Sequence, residues 1–434
     1  MYNTDLYKRI LAEVNKVPIV DCHEHLQHPH ELMRLENIDF GRLFTHYASS
    51  DLVSAGMPVS DMEMVRSQES DWSVKHKWQA VKPYYEKTWN TAYCECIRIA
   101  MQDIYGIEDL RDDTVVPLSE KMNSVPKDSW TRDIFDKANI DIALQHSLSL
   151  GPVFPRKPYS ELFLYDMVDC FSSLGSFEWC SETGIDVYNL HDYLRVIDWY
   201  FNKFALQASA FKIGRAYDRT LAFEDIATPD ASRLFTQWIN PETRPARRDI
   251  QALEDFIVHY CVRKAGEYDL PVKFHTGLQE GNCNDIKNSR AALLVNLFAK
   301  YPKTRFDIYH ISWPYTEELI DICKNFPNVY IDFCWAWIFN PPASRRYLSD
   351  MLETIPLNKI HGFGGDFIFV EGSYGHSVIA RREISRVLAD KVSDGTFTED
   401  YAITAAKRIL RENALENFDV GKKRKQCVEV DAQK

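Results

Sequence analysis

Two histidines one residue apart, His23 and His25, close the apolar run Val17-Pro18-Ile19-Val20-Asp21-Cys22. Side chains two apart on a β-strand share a face, so the two imidazoles aim together while Glu24 points away. Convergent imidazoles make half of a site for zinc or a similar borderline ion. A histidine-rich turn is the competing reading, because His28 and His30 follow at once. Three more residues of ligand type, His275, His310 and Asp366, also end short apolar runs. Taken singly, each is as readily a hydrogen-bonded core histidine or a helix-capping aspartate. Four runs that each deliver such a residue to one end are harder to explain by packing alone.

Bringing these residues together requires strands that end side by side. Apolar runs at 17–23, 140–146, 163–168, 208–214, 271–275, 305–310, 329–333 and 360–366 read as strands. Helical patterns at 191–206, 249–266, 287–300, 315–325 and 345–354 separate the later ones. Eight strands with helices between them predict an α/β fold, a (β/α)8 TIM barrel whose chemistry sits at the C-terminal mouth. The whole chain, 1–434, then forms one catalytic domain. The long stretch between the first two strands must carry its own structure, and residues 27–137 read as a helical insertion after strand 1. The N-terminus predicts an amphipathic helix with Leu6, Ile10, Leu11 and Val14 on one stripe. The basic run Gly421-Lys422-Lys423-Arg424-Lys425 reads as a solvated tail.

An HxH on strand 1, histidines on strands 5 and 6 and an aspartate on strand 8 resemble the ligand pattern of the amidohydrolase superfamily. His275-Thr276-Gly277, Ile308-Tyr309-His310-Ile311-Ser312-Trp313-Pro314-Tyr315 and Asn328-Val329-Tyr330-Ile331-Asp332 are similar to its amidohydrolase-2 branch, closest to uronate-isomerase-like and glutamine-synthetase-fused members. The insertion, with Asp103-Ile104-Tyr105-Gly106-Ile107, resembles the same relatives, and the similarity runs over residues 15–417. The resemblance implies a divalent metal held by His23, His25 and Asp366, with His275 as a further ligand. One zinc ion is the first expectation and manganese the second. It casts Asp366 as the proton acceptor for water and His310 as a ligand or an orienter of the substrate carbonyl. Some superfamily members carry a carboxylated lysine on strand 4 that bridges two metals. Lys212 stands there, but Gly214-Arg215-Ala216-Tyr217-Asp218-Arg219 departs from the binuclear pattern. One metal is therefore expected, and Lys212 is left with a substrate contact or a structural role. Arg215 and Arg219 could grip a substrate carboxylate or could form a loop-closing ion pair. Trp313, Trp335 and Trp337 could wall a pocket or pack in the core, and Asp332 could support the site or bond backbone amides.

Composition narrows the function class. With 51 basic and 63 acidic residues among 434, the net charge of −12 argues against a nucleic-acid binder. No apolar run reaches the length of a membrane span, and the N-terminus lacks the apolar core of a secretory signal. The ten cysteines are scattered, which suits free thiols in a reducing, cytoplasmic setting. A small-molecule substrate is expected; an oligomer would be ordinary for such a barrel, but no residue pattern sets a number. Hydrolysis of an amide, lactone or ester leads, with aldose–ketose isomerisation of a uronate and metal-dependent decarboxylation as alternatives.

Overall fold

The computed structural model describes residues 4–27, 29–146, 161–174, 178–243 and 245–432. His28 falls outside them, as does the side chain of His30. Eight parallel strands follow chain order: β1 (Ile19–Glu24), β2 (Ile140–Gln145), β3 (Phe163–Val168), β4 (Ala208–Ile213), β5 (Val272–Phe274), β6 (Phe306–Ile308), β7 (Val329–Asp332) and β8 (Ile360–His361). The last strand is short, yet the extended segment after it bonds to β1. Cys22 N–H donates to Phe363 O at 3.0 Å, Asp366 N–H to His23 O at 2.8 Å and His25 N–H to Phe367 O at 3.0 Å. These bonds close the barrel and set Asp366 beside the HxH pair. The expected α/β barrel is the observed fold.

Between β1 and β2 the chain forms helices at Pro29–Arg34, Tyr47–Ser54, Val59–Arg66, Val74–Thr88, Ala92–Ala100, Val115–Asn123 and Trp130–Ala138. Asp39 caps the turn Phe40–Phe44 by accepting from Gly41 N–H, and Thr91 caps Ala92–Ala100 by accepting from Cys94 N–H. The N-terminal helix Thr4–Lys16 buries Leu6, Ile10 and Val14, as its stripe predicts. It lies against the helix Val370–Ser393, and Arg381 of that helix ties the two to the barrel. The Arg381 guanidinium donates to Val14 O, Val17 O, Ala138 O and Asn139 O at 2.6–3.2 Å. Two helix ends thereby place their last carbonyls on one buried cation.

Two expectations need correcting. Residues 287–300 do not form one helix. Two tight turns, Ile286–Ser289 and Ala291–Leu294, precede the helix Val295–Lys300. The chain there is spent on loop contacts: Ser289 Oγ donates to Gly277 O at 2.6 Å, and Gly277 N–H donates back to Ser289 O at 2.8 Å. The basic run at 421–425 is not a free tail. It belongs to the helix Val420–Ala432, where Lys423 is buried and donates to Ala205 O and Leu206 O. Ala414, Phe418 and Val420 meet Val20, Ile142, Leu144, Leu164 and Ala210 inside the barrel and plug its base. After β7, Asn340 caps Ala343 N–H and Pro341 opens the helix Pro341–Thr354. No helix among the described residues is long and apolar enough to cross a membrane. Arg381→Met should cost about 3 kcal/mol, because four carbonyls lose a charged donor and only Val14 O and Asn139 O keep a backbone N–H; urea denaturation of the variant beside the parent measures it.

Candidate metal centre

His23 and His25 point to one face as their spacing predicts, with Nε2 atoms 3.1 Å apart and each 3.3 Å from Asp366 Oδ1. The strand reaches this arrangement through an irregularity in its pairing with β2 between Asp21 and Glu24. Asp21 Oδ1 accepts from His23 N–H at 3.1 Å and Gly365 N–H at 3.0 Å, and Glu24 Oε2 accepts from Phe367 N–H at 2.8 Å. Two buried carboxyls therefore hold both sides of the seam that carries the ligands. Burial raises Asp21 to about 7, and burial together with the Asp21 charge pushes Glu24 well above the usual range. Gly365 permits their approach, since a Cβ there would lie 1.8 Å from Glu24 Oε1.

The opposite wall carries His275 and His310, with Nδ1 of the first 3.0 Å from Nε2 of the second. His310 lies past the end of β6 on a left-handed turn, with φ 61°, and Asp366 follows β8 at φ 60°. Neither position carries glycine, so both hold backbone conformations that L-residues adopt at a cost. Gly277, at φ 70°, brings the loop after β5 against the Ser312–Trp313 backbone; a Cβ would meet Trp313 O at 2.5 Å. That close approach puts His275 next to His310.

Hydrogen bonds on the far side of three of the four rings set their tautomers, while His23 Nδ1 has no partner. His25 Nδ1 faces His146 O at 3.1 Å, His310 Nδ1 faces Cys334 O at 3.0 Å, and His275 Nε2 faces Leu278 O at 3.0 Å. A carbonyl accepts only an N–H, so His25 Nε2, His310 Nε2 and His275 Nδ1 are left as lone pairs turned inward. Lone pairs of His275 and His310 thus face each other at 3.0 Å, and that of His25 faces a carboxylate. Such an array is stable around a cation and repulsive without one. The donor set therefore fits a divalent metal, and His23, His25 and Asp366 form one group of suitable spacing, with Asp366 shared by a second group of His310 and Cys334. Burial keeps the imidazoles neutral, the form a metal takes: it lowers His310 to about 4 and His23 and His275 well below their ordinary value. Burial works against the Asp366 charge, but His23, His25 and His310 outweigh it and hold that carboxyl well below the usual range.

Lys212 is buried, with Nζ 3.7 Å above the Tyr309 ring. Burial lowers it to about 8, against the pull of Asp366. The two arginines after β4 do not reach the centre. Arg219 is enclosed, its guanidinium donating to Glu254, Asp255 and the Thr220, Gln251 and Ala222 carbonyls. Arg215 lies 3.1 Å from Glu254 and 3.2 Å from Asp218. In this structure both take part in the alternative, an ion-pair cluster that anchors the loop after β4, with Arg215 Nε left without a partner. Trp313 is half-buried against Phe339 at the edge of the site, and Trp337 donates to Gly362 O inside the core. Trp335 does flank the centre, 5.3 Å from the His310 ring and stacked at 4.1 Å on Tyr47.

Sequence reasoning passed over four residues. His146 ends β2, its ring 4.7 Å from that of His25, and its place at a strand end was the available signal. Tyr309 lies 4.7 Å from the His23 ring. His46 and Tyr47 come from the helices after β1, and nothing in their local pattern marks them. The His46 ring is 6.4 Å from His25 and 4.0 Å from Tyr47.

A rim of imidazoles and a carboxylate at the mouth of an eight-stranded barrel is the arrangement that metal-dependent barrel enzymes use. A family model described as Amidohydrolase matches residues 231–420. The protein fluG of Emericella nidulans is 26% identical over 212 residues, which is 48% of this chain and 22% of fluG; the match thus spans about a fifth of that relative. Among solved structures, uronate isomerase from Thermotoga maritima is similar with a TM-score of 0.78 at 15% identity, covering 96% of this chain and 98% of its own. Glucuronate isomerase from Caulobacter crescentus gives 0.76 at 16% identity, covering 96% of each. The resemblance to the amidohydrolase superfamily is borne out.

The pKa shifts set how the metal-free protein responds to acid. Buried His23, His275, His310 and His376 and half-buried His46 and His146 all lie below their unfolded value of 6.5, with His46 and His376 near 3. Below pH 6.5 the unfolded chain takes up these protons and the fold does not, so stability falls by about 1.4 kcal/mol per pH unit per group. Buried Asp21, Glu24 and Asp332 shift upward and work in the opposite direction above pH 4. His259 is lowered as well, and Asp51, Asp255, Glu280 and Asp390 are raised, all by less; between pH 6.5 and 5 the lowered histidines outnumber the strongly raised carboxyls and leave a net loss. The urea midpoint with chelator present should therefore fall steadily from pH 6.5 to 5.

Proposed function

We propose that this chain is a metal-dependent hydrolase acting on an amide, lactone or ester bond of a small, carboxylate-bearing molecule. The observation that carries this reading is the set of inward lone pairs on His25, His275 and His310 beside an ionised Asp366. His23, His25 and Asp366 would hold one divalent ion, zinc first and manganese second, with His275 as a further donor. When bound, such an ion supplies Lewis acidity and brings the pKa of water to about 7.

The protein's own groups then have definite tasks. Asp366 is ionised, buried and able to accept a proton from the attacking water and return it to the leaving atom. His310, with its Nδ1–H held by Cys334 O, keeps Nε2 fixed towards the same space. Lys212 offers a cation above Tyr309 that can meet a substrate carboxylate, now that Arg215 and Arg219 are committed elsewhere. Trp335, stacked on Tyr47, supplies an apolar wall and limits water.

Aldose–ketose isomerisation of a uronate is the second reading, favoured by a fold likeness to uronate isomerases that extends over nearly the whole chain. Arg215 and Arg219 after β4 lend it little support, because both are engaged in ion pairs. Turnover in water enriched in heavy oxygen separates the two. Hydrolysis places the label in the new carboxylate, isomerisation conserves the substrate's mass, and decarboxylation releases carbon dioxide. Asp366→Asn should lower kcat at least 100-fold, the usual contribution of a positioned proton acceptor; near-parental turnover would remove Asp366 from that role. Lys212→Met should lower kcat/KM for carboxylate-bearing substrates roughly 30-fold, about 2 kcal/mol for one charged hydrogen bond. Neutral analogues should lose far less.

A further inference from the structure

Barrels of this kind are commonly filled by layers of branched apolar side chains. One half of this interior follows that rule, with Val20, Ile142, Leu144, Leu164 and Ala210 packed together above the Phe418 plug. The other half does not: β5 to β8 carry Lys273, Asp307, Asp332 and His361, all fully buried. Cys22 belongs to the same interior from β1, and its carbonyl accepts from Lys273 Nζ at 2.9 Å.

The polar half is incompletely paired. His361 Nδ1 lies 2.8 Å from Asp307 Oδ1, so the carboxylate takes the N–H and leaves Nε2 as a lone pair. That Nε2 has no partner, and neither do Asp307 Oδ2 and Asp332 Oδ2. Asp332 Oδ1 is already held by Cys334 N–H at 2.7 Å. The single ammonium, Lys273, lies 2.8 Å from Asp166. Lys273 also attracts Asp307 and Asp332, which lie against each other, but one ammonium faces three carboxyls, so shared protons or a further cation must make up the balance in this dry setting.

Cys22, Asp332 and His361 each present a ligand-type atom, and these atoms lie within 4.8 Å of one another. A thiol, a carboxylate and an imidazole oriented by a second carboxylate form a donor set for a zinc-class ion. Shared protons would balance the carboxyls but would make no use of the sulfur. We propose that Cys22, Asp332 and His361 bind a second divalent cation of the zinc class inside the barrel, with Asp307 orienting His361. Binding releases the Cys22 S–H proton to solvent and leaves the thiolate on the ion. The site shares no ligand with the rim centre and does not depend on the hydrolytic reading. It would pin β1 to β7 and β8, where β8 adds only two residues to the sheet.

The test uses the full chain carrying His23→Ala and His25→Ala, grown with zinc. About one equivalent of zinc should remain per chain, with one sulfur neighbour by X-ray absorption. The cobalt-loaded form should show a thiolate charge-transfer band in the near ultraviolet. Cys22→Ser in that background should lose both the equivalent and the band. A metal-free double variant, or retained zinc with no sulfur neighbour, would overturn the proposal. In a second form of the double variant Cys334, which could hold an ion with His310 and Asp366, is also replaced by serine; should Cys22→Ser fail to fold by circular dichroism, the sulfur signal of that form decides alone. Failure of the rim reading is distinguishable, because the parent would then hold the sulfur-ligated ion and no other.

Discussion

Acceptor faces acceptor at the mouth of this barrel, and that repulsion organises the rest of the site. The lone pairs of His275 and His310 are turned together at 3.0 Å by carbonyls that bind the opposite ring nitrogens. The same device turns His25 towards Asp366. Rings arranged this way are held for a cation, and their neutrality follows from burial rather than from any special partner. The protein thus commits folding energy to an array that is unfavourable in isolation.

That commitment explains the backbone around it. His46, His310, Trp335 and Asp366 all adopt positive φ without being glycine, and all four surround the centre. Compactness behind them holds the strain: Gly277 meets the Trp313 backbone, Gly365 lies against Glu24, and Asp21 bonds amides on both sides of the seam. Little of the local geometry is free to relax when one piece is altered.

Much of this was legible in the residues. His23, His25, His275, His310 and Asp366 were visible because each ends an apolar run, and strand ends in such a barrel converge on one rim. The barrel itself followed from the same alternation. What stayed hidden is of three kinds. His46 and Tyr47 reach the centre from helices whose pattern reports only their own packing. Arg215 and Arg219 carry the right charge for a ligand, but their fate is decided by Glu254 and Asp255 on a distant helix, a pairing that spacing does not reveal. The run at 421–425 looks solvated by composition, and only the three-dimensional fit of Phe418 and Val420 into the barrel base draws it inward. His146 differs from all of these, since its strand-end position was as plain as that of the others.

The seam between β1 and the segment after β8 has a temporal consequence. His23 and Asp366 are separated by most of the chain, yet each needs the other's strand to take its place. A ribosome that has just released the HxH pair must add several hundred residues before the carboxylate can join it. Throughout that interval the two histidines belong to a nascent chain that lacks the rest of the rim. The centre is therefore a late event in the life of the molecule, completed when synthesis of the barrel is nearly over.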